Sequence, residues 1–335
     1  MKNQVFVCET LYHLYIAILK AYSAPESLLV VTDFTPSMGQ LIPRIQKEKI
    51  FCNIVFISSN AKVMRSYDNY SFFEKTFHRS RCIIDAFEHN SDIHLHSAFI
   101  QYAEINLFMA LGYTSAYFVD KYRKSFIRMI EDGERTYATR LGVLKILKRK
   151  HIYKSYIGEG LDEEIVEIEV QNPGRLPENI RHKGKKLDLR KLSGQISDVE
   201  SKQLLRIFSV DKIKFPNHKK GILLITQPLS EDSFVSEEEK IELYKKILDE
   251  YTDGEKIYIK VHPREKTDYE NVFNVDYQII PRDFPIELFD LLPNVYFEKS
   301  ITIWSGAVNN LNCVGEKVFL GMDYDKRLVH KRIRF

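Results

Sequence analysis

Short apolar runs alternate with stretches of helical periodicity along almost the whole chain, and this alternation restricts the fold more than any other feature. Gln4–Cys8 (QVFVC) is the first run; residues 10–22 then space apolar side chains as one face of a helix, with Thr10 suited to cap it. Ser27–Thr32 (SLLVVT) and residues 53–58 (NIVFIS) are further buried-strand runs, followed by helical stretches near 61–77 and 93–111. Residues 116–119 and Phe126–Ile130 read as two more strands, and 134–149 as a long helix. Parallel strands need crossover helices, so the pattern predicts an α/β layered fold.

The pattern breaks between 158 and 215, where an acidic alternating strand (164–170), Asn172-Pro173-Gly174, Pro177 and the basic stretch 181–191 follow one another. A second series then begins: strand 221–226 (GILLIT), helix 236–251, strand 256–261, strand Tyr277–Ile280, short helix 285–291 and strand 295–297. At roughly 100–200 residues per domain, 335 residues suit two domains. The expected organisation is a doubly wound domain over 1–157, an inter-domain region over 158–215 and a second doubly wound domain over 216–335. No solenoid period and no low-complexity segment interrupts it.

Composition narrows the function classes. With 49 Lys+Arg against 46 Asp+Glu, the formal net charge of +3 lacks the dominant basic excess of a nucleic-acid binder. Cys8, Cys52, Cys82 and Cys313 show neither CxxC nor Cys/His ligand spacing, which argues against a disulfide framework or a zinc site and fits a reducing cytoplasm. Glu9 and His13 interrupt the apolar start (5–19), no small-residue cleavage site follows, and no run approaches the ~20 apolar residues of a membrane span. The expectation is a cytoplasmic protein, soluble or seated on a membrane surface. The basic, partly amphipathic segment 140–150 suits a solvated helix face and equally a peripheral contact with anionic lipid; the basic stretch 326–332 has the same two readings.

Ligands of open parallel sheets bind outside the carboxyl ends of the strands. Four places there carry polar or ionisable residues: Cys8-Glu9-Thr10, Glu131-Asp132-Gly133, His262-Pro263 and Ser305-Gly306-Ala307. Asp-Gly is a common turn dipeptide, but a carboxylate on a rigid strand end is also a candidate general base. His262 before a proline suits a strand terminus, yet an imidazole there could donate to a phosphate oxygen, with Lys260 and Arg264 reinforcing or replacing it. Ser305 suits a helix N-cap, and the amides beyond it suit an anion. Glu287 could be an exposed helix residue or the acceptor for two ribose hydroxyls. The chain has no GxxxxGK[ST] loop, no GxGxxG, no GxSxG and no Asp-x-Asp pair for a diphosphate-bound metal. Kinases, dinucleotide dehydrogenases and metal-dependent sugar transferases are thereby disfavoured, and no metal site is expected.

Taken in order, Glu131-Asp132-Gly133, Lys260-Val261-His262-Pro263, Pro285-Ile286-Glu287 and Ser305-Gly306-Ala307 resemble the motifs of bacterial sialyltransferases, most closely glycosyltransferase family 52, the lipooligosaccharide and capsule sialyltransferases. Cys8-Glu9-Thr10-Leu11-Tyr12 resembles that family's Cys-x-Thr-Pro-Leu opening, with Leu11 in place of proline, and Thr226-Gln227-Pro228 resembles the start of its second domain. The resemblance implies a GT-B fold, two Rossmann-like domains facing a cleft, and metal-independent, inverting transfer from CMP-sialic acid to a terminal galactose of a capsular or lipooligosaccharide glycan, free or lipid-linked. It implies Asp132 as catalytic base, His262 on the phosphate, Ser305 as phosphate-binding serine and Glu287 on the ribose, with Thr10, Gln227, Pro263 and Gly306 completing the donor side. Gly306 stands where the family usually has a second Ser or Thr, so that phosphate contact is absent or made by backbone. A cofactor is not implied, and a homodimer is compatible with the family. Two alternatives stay open: a transferase using a UDP-sugar or CMP-Kdo, and a catalytically silent nucleotide- or glycan-binding module.

Overall fold

A computed structural model describes residues 2–24, 26–58, 62–109, 112–138, 141–210, 221–270, 272–273, 275–292 and 295–329. The chain divides into two compact units, Met1–Ile207 and Phe208–Phe335.

The first unit is built on a seven-stranded sheet of β1 (Gln4–Cys8), β2 (Ser27–Thr32), β3 (Asn53–Ile57), β4 (Glu104–Phe108), β5 (Phe126–Ile130), β6 (Ile165–Val170) and β7 (Gly184–Lys186). Its order is β3-β2-β1-β4-β5-β6-β7, and every neighbouring pair is parallel. The second unit holds five strands, β8 (Gly221–Ile225), β9 (Lys256–Lys260), β10 (Tyr277–Ile280), β11 (Phe297–Thr302) and β12 (Val314–Phe319), in the order β10-β9-β8-β11-β12, again all parallel. Both sheets are therefore doubly wound α/β structures, and each reverses direction beside its own first strand. The switch lies between β1 and β4 in one unit and between β8 and β11 in the other, where ligand crevices of such sheets form.

The strands arise where the apolar runs stood. β2 and β8 are buried at every position, as strands covered on both faces must be. Helix α1 (Leu11–Ala21) starts at Thr10, whose side chain accepts the His13 backbone N–H, and nine of its eleven residues are buried. The Glu237–Tyr251 helix opens with a reciprocal Ser236–Glu239 capping box, and Glu237, Glu238 and Glu239 complement the positive end of its dipole.

Several expectations are corrected. Residues 116–119 are not a strand but the middle of a helix, Tyr113–Lys121, while Glu104–Phe108 within the expected helix 93–111 is β4. Residues 105–108 and 116–119 are both short and buried at every position, and periodicity alone cannot sort such runs into helix or strand. The expected long helix 134–149 is a 3-10 turn (Gly133–Tyr137), a one-turn helix (Val143–Leu147) and a π-type turn (Lys148–Tyr153). The strand expected at 295–297 runs instead over Phe297–Thr302, and β12 was not foreseen. Within the stretch 158–215, β6 and β7 pair onto the first sheet, and residues to Ile207 pack with the first unit. Residues 110–111, 139–140, 211–220 and 330–335, which include Arg140 of the basic segment 140–150 and the end of 326–332, lie outside the described residues.

Candidate active site

In the first unit, three elements meet at the β1–β4 switch. Thr10 ends the strand-to-helix turn after β1 and, by capping α1, fixes His13 one turn into the helix. His13 is 1% exposed and stacks on Phe108 at the end of β4, with ring centroids 4.0 Å apart and planes 8° from parallel. Its Nδ1 accepts the Glu9 backbone N–H at 3.2 Å. A neutral ring that accepts at Nδ1 carries its proton on Nε2, and Nε2 stands 2.7 Å from Oδ1 of Asp132, which follows β5. His13 thus donates to Asp132 and holds the carboxylate in one orientation.

The neighbouring carboxylates have different duties. Glu131 is 4% exposed and fully engaged: Tyr137 and the Gln171 backbone N–H donate to Oε2, and the Gln171 side-chain amide donates to Oε1. Asp132 keeps a side chain 26% exposed, so it, and not Glu131, can meet a substrate. Its backbone N–H donates to Thr136 Oγ1 at 2.8 Å, closing a turn in which Gly133 adopts a φ of +72°, a left-handed conformation that favours glycine. Glu9 completes the cluster; burial first, and repulsion from Asp132 after it, push its carboxyl above the usual range.

In the second unit, His262 follows β9 and is held the same way. Its Nδ1 accepts the Arg264 backbone N–H at 3.2 Å, which leaves the Nε2 proton as the donor. Burial, then the Arg264 and Lys260 cations, depress its pKa to about 4, so the imidazole is neutral at physiological pH. Glu265 anchors this turn from beneath: it accepts the His262 backbone N–H at 3.0 Å, the Thr226 hydroxyl at 2.5 Å and the Tyr269 hydroxyl at 2.7 Å. Glu231 accepts the Lys266 backbone N–H and pairs with Lys240, which is wholly buried and lies 3.6 Å from Glu265. Arg264 forms two parallel bonds to Asp232, at 2.6 and 2.9 Å.

At the β8–β11 switch, Gln227 follows β8 and accepts the Trp304 backbone N–H at 3.0 Å, while its own backbone N–H donates to the Tyr244 hydroxyl at 2.7 Å. Gln227 is 6% exposed and supports the loop that carries Ser305. The Ser305 N–H is taken by Thr302 Oγ1, and Ser305 precedes a 3-10 turn, Gly306–Asn310, without capping it through its side chain. The short α-helix expected after it is therefore a tighter turn. Glu287 lies on the Ile286–Leu291 turn; burial raises its pKa to about 7, opposed by the nearby Lys260 cation, which burial in turn lowers to about 8.

Thr10 and Asp132 belong to the first unit, and Gln227, His262, Pro263, Glu287, Ser305 and Gly306 to the second. Within the first, Thr10 and Asp132 are joined through His13, which in the sequence marks only a break in an apolar run. The signal was available: a polar residue three positions after an N-cap sits one helical turn above a strand's carboxyl end. Glu265 and Lys240 had no such signal, because each is defined by partners distant in sequence. Among the described residues, no group of three or more His, Cys, Asp or Glu is arranged to hold a metal ion.

Residues 59–320 match the family model for glycosyltransferase family 52. An uncharacterized protein of Haemophilus influenzae is 34% identical over 189 residues, an alignment covering 55% of this chain and 59% of that relative's length. No solved structure matches.

Proposed function

Because the chain belongs to glycosyltransferase family 52, we propose that it transfers sialic acid from CMP-sialic acid to a terminal galactose hydroxyl of a capsular or lipooligosaccharide glycan, with inversion and without a metal. The observation that carries this reading is the pair of oriented groups: a partly exposed Asp132 fixed by His13, and a neutral His262 whose ring proton is held on Nε2 by the Arg264 N–H at Nδ1. A base for the acceptor and a donor for a monophosphate leaving group are what this chemistry requires.

Asp132 takes the proton of the attacking hydroxyl while the hydroxyl oxygen bonds to the anomeric carbon of the sialyl group. The bond from that carbon to the phosphate oxygen breaks as the sugar passes through oxocarbenium character, and CMP departs with the electron pair. His262 donates a hydrogen bond to the oxygen that gains charge, which is worth most in a site shielded from water. As a neutral imidazole it acts in the free protein as a hydrogen-bond donor to phosphate rather than as a protonated acid. Ser305 and the backbone around Gly306 supply further donors to the same phosphate, Pro263 shapes the His262 turn, and Glu287 accepts the ribose hydroxyls. Gln227 supports the Ser305 loop, and Thr10 supports His13.

Calorimetry with CMP and UDP tests the donor, and incubation of CMP-sialic acid with lactose-type acceptors, with product linkage read by NMR, tests the transfer. CMP binding without transfer or donor hydrolysis would instead favour a binding module; UDP binding in place of CMP would favour another donor.

A further inference from the structure

The first unit also carries an apolar surface, apart from the Asp132 cluster, that serves no part of the proposed reaction. The Phe72–Phe77 helix buries none of its residues and exposes Phe72 (83%), Phe73 and Phe77. It forms nonetheless, because Ser71 and Glu74 close a reciprocal capping box and the Lys75 ammonium donates to the Asp68 carbonyl at 2.9 Å. This helix packs against the Lys148–Tyr153 turn, which continues directly from the Val143–Leu147 helix. There Val143, Leu144 (84% exposed) and Leu147 stand in solvent as well. Exposed apolar side chains gathered on adjoining elements mark an interaction surface rather than chance exposure.

Charge selects the occupant. Residues 143–153 read VLKILKRKHIY: four basic residues and no acidic one. Lys145, Lys148 and Lys150 are exposed, Lys150 pairing with Glu163 at 3.3 Å, while Arg149 is tethered to the Ile157 carbonyl. A symmetric contact with a second copy would set this basic stretch against itself. A nucleic acid would satisfy the lysines but leave Val143, Leu144 and Leu147 in water. We propose that this face docks on an anionic lipid bilayer, with the phenylalanines and leucines entering the headgroup boundary and the lysines meeting lipid phosphates. Short amphipathic segments with basic and apolar residues interleaved bind membranes in this manner. Among the described residues no helix is long and apolar enough to cross a membrane. The proposal does not depend on which donor the protein uses.

Flotation of the full chain with vesicles of phosphatidylcholine alone, and of phosphatidylcholine mixed with phosphatidylglycerol, at low and high salt tests it. The expected result is binding to the mixed vesicles at low salt, weakened by salt, and little binding to the neutral ones. Phe72→Ser combined with Leu144→Ser should lower the bound fraction by about tenfold, and Lys145→Glu with Lys148→Glu should remove the preference for anionic lipid. All four positions are exposed, so unchanged circular dichroism and thermal unfolding would confirm that the variants fold. Binding that is equal in variants and parent, or absent from both vesicles, overturns the proposal. A dimer in sedimentation velocity that Leu144→Ser dissociates would assign the face to a second copy instead, and would overturn it too.

Discussion

His13 and His262 hold their rings alike, each with a backbone N–H on Nδ1 and the ring proton therefore on Nε2. The consequences differ, because the His13 proton is spent on Asp132, whereas His262 is proposed to donate its proton to the donor phosphate. If Asp132 is the base, Asp132→Asn should lower turnover by about 100- to 10,000-fold with CMP affinity nearly unchanged in calorimetry. His13→Ala should lower turnover without weakening CMP, and His13→Gln, whose amide can still donate, should recover part of the loss; equal losses in both would remove the positioning role. For His262, a folded pKa of about 4 against 6.5 in the unfolded chain means that the unfolded state binds the extra proton between those values. Stability should therefore fall as pH drops from about 6.5 toward 4, and His262→Gln should flatten that part of the unfolding profile. Glu287 runs the other way: raised to about 7, it is increasingly ionised as pH rises through neutrality. Cytidine affinity should climb over that interval, before Lys260 discharges near 8, and lose the climb in Glu287→Gln. Asp132, His262 and Ser305 could be singled out from sequence because each follows a strand. Their partners could not, since hydrogen bonds such as His13 to Asp132 join residues 119 positions apart.

Among the elements, the turn after β9 depends most on burial. Lys240, from the Glu237–Tyr251 helix, is the buried cation facing Glu231, Glu237 and Glu265, and two of these carboxylates hold the backbone of residues 262–266. Lys240→Met removes the cation and leaves the carboxylates uncompensated. A loss of about 3–5 kcal/mol in urea unfolding is expected, and a change near zero would show that water or rearrangement replaces it. Legibility at this scale followed burial pattern. β1, β2 and β10 have the bounds read from sequence because turn residues flank their apolar runs. β4 and the Tyr113–Lys121 helix exchanged identities because a helix buried from Thr114 to Asp120 shows no polar stripe to betray its period. The segment 134–149 failed differently: its basic and apolar residues suit a helix, but none of Val143–Leu147 is buried to extend one by packing.

For the molecule as a whole, the two sheets share one winding rule, and each brings its candidate residues to the carboxyl ends of its strands. That much was readable from alternation alone. The extent of the first unit was not, because β6 alternates apolar with acidic residues and β7 is a three-residue basic strand at the sheet edge, neither carrying the continuous apolar run of the central strands. The central claim is that Asp132 of the first unit and His262 of the second serve one transfer from CMP-sialic acid. The most direct measurement incubates the parent protein, Asp132→Asn and His262→Ala with CMP-sialic acid and lactose, following sialyllactose and released CMP by NMR. The account predicts sialyllactose from the parent, loss of transfer in Asp132→Asn with CMP binding kept, and loss of both in His262→Ala. Undiminished transfer by either variant, or a parent that neither binds CMP nor consumes the donor, would contradict it.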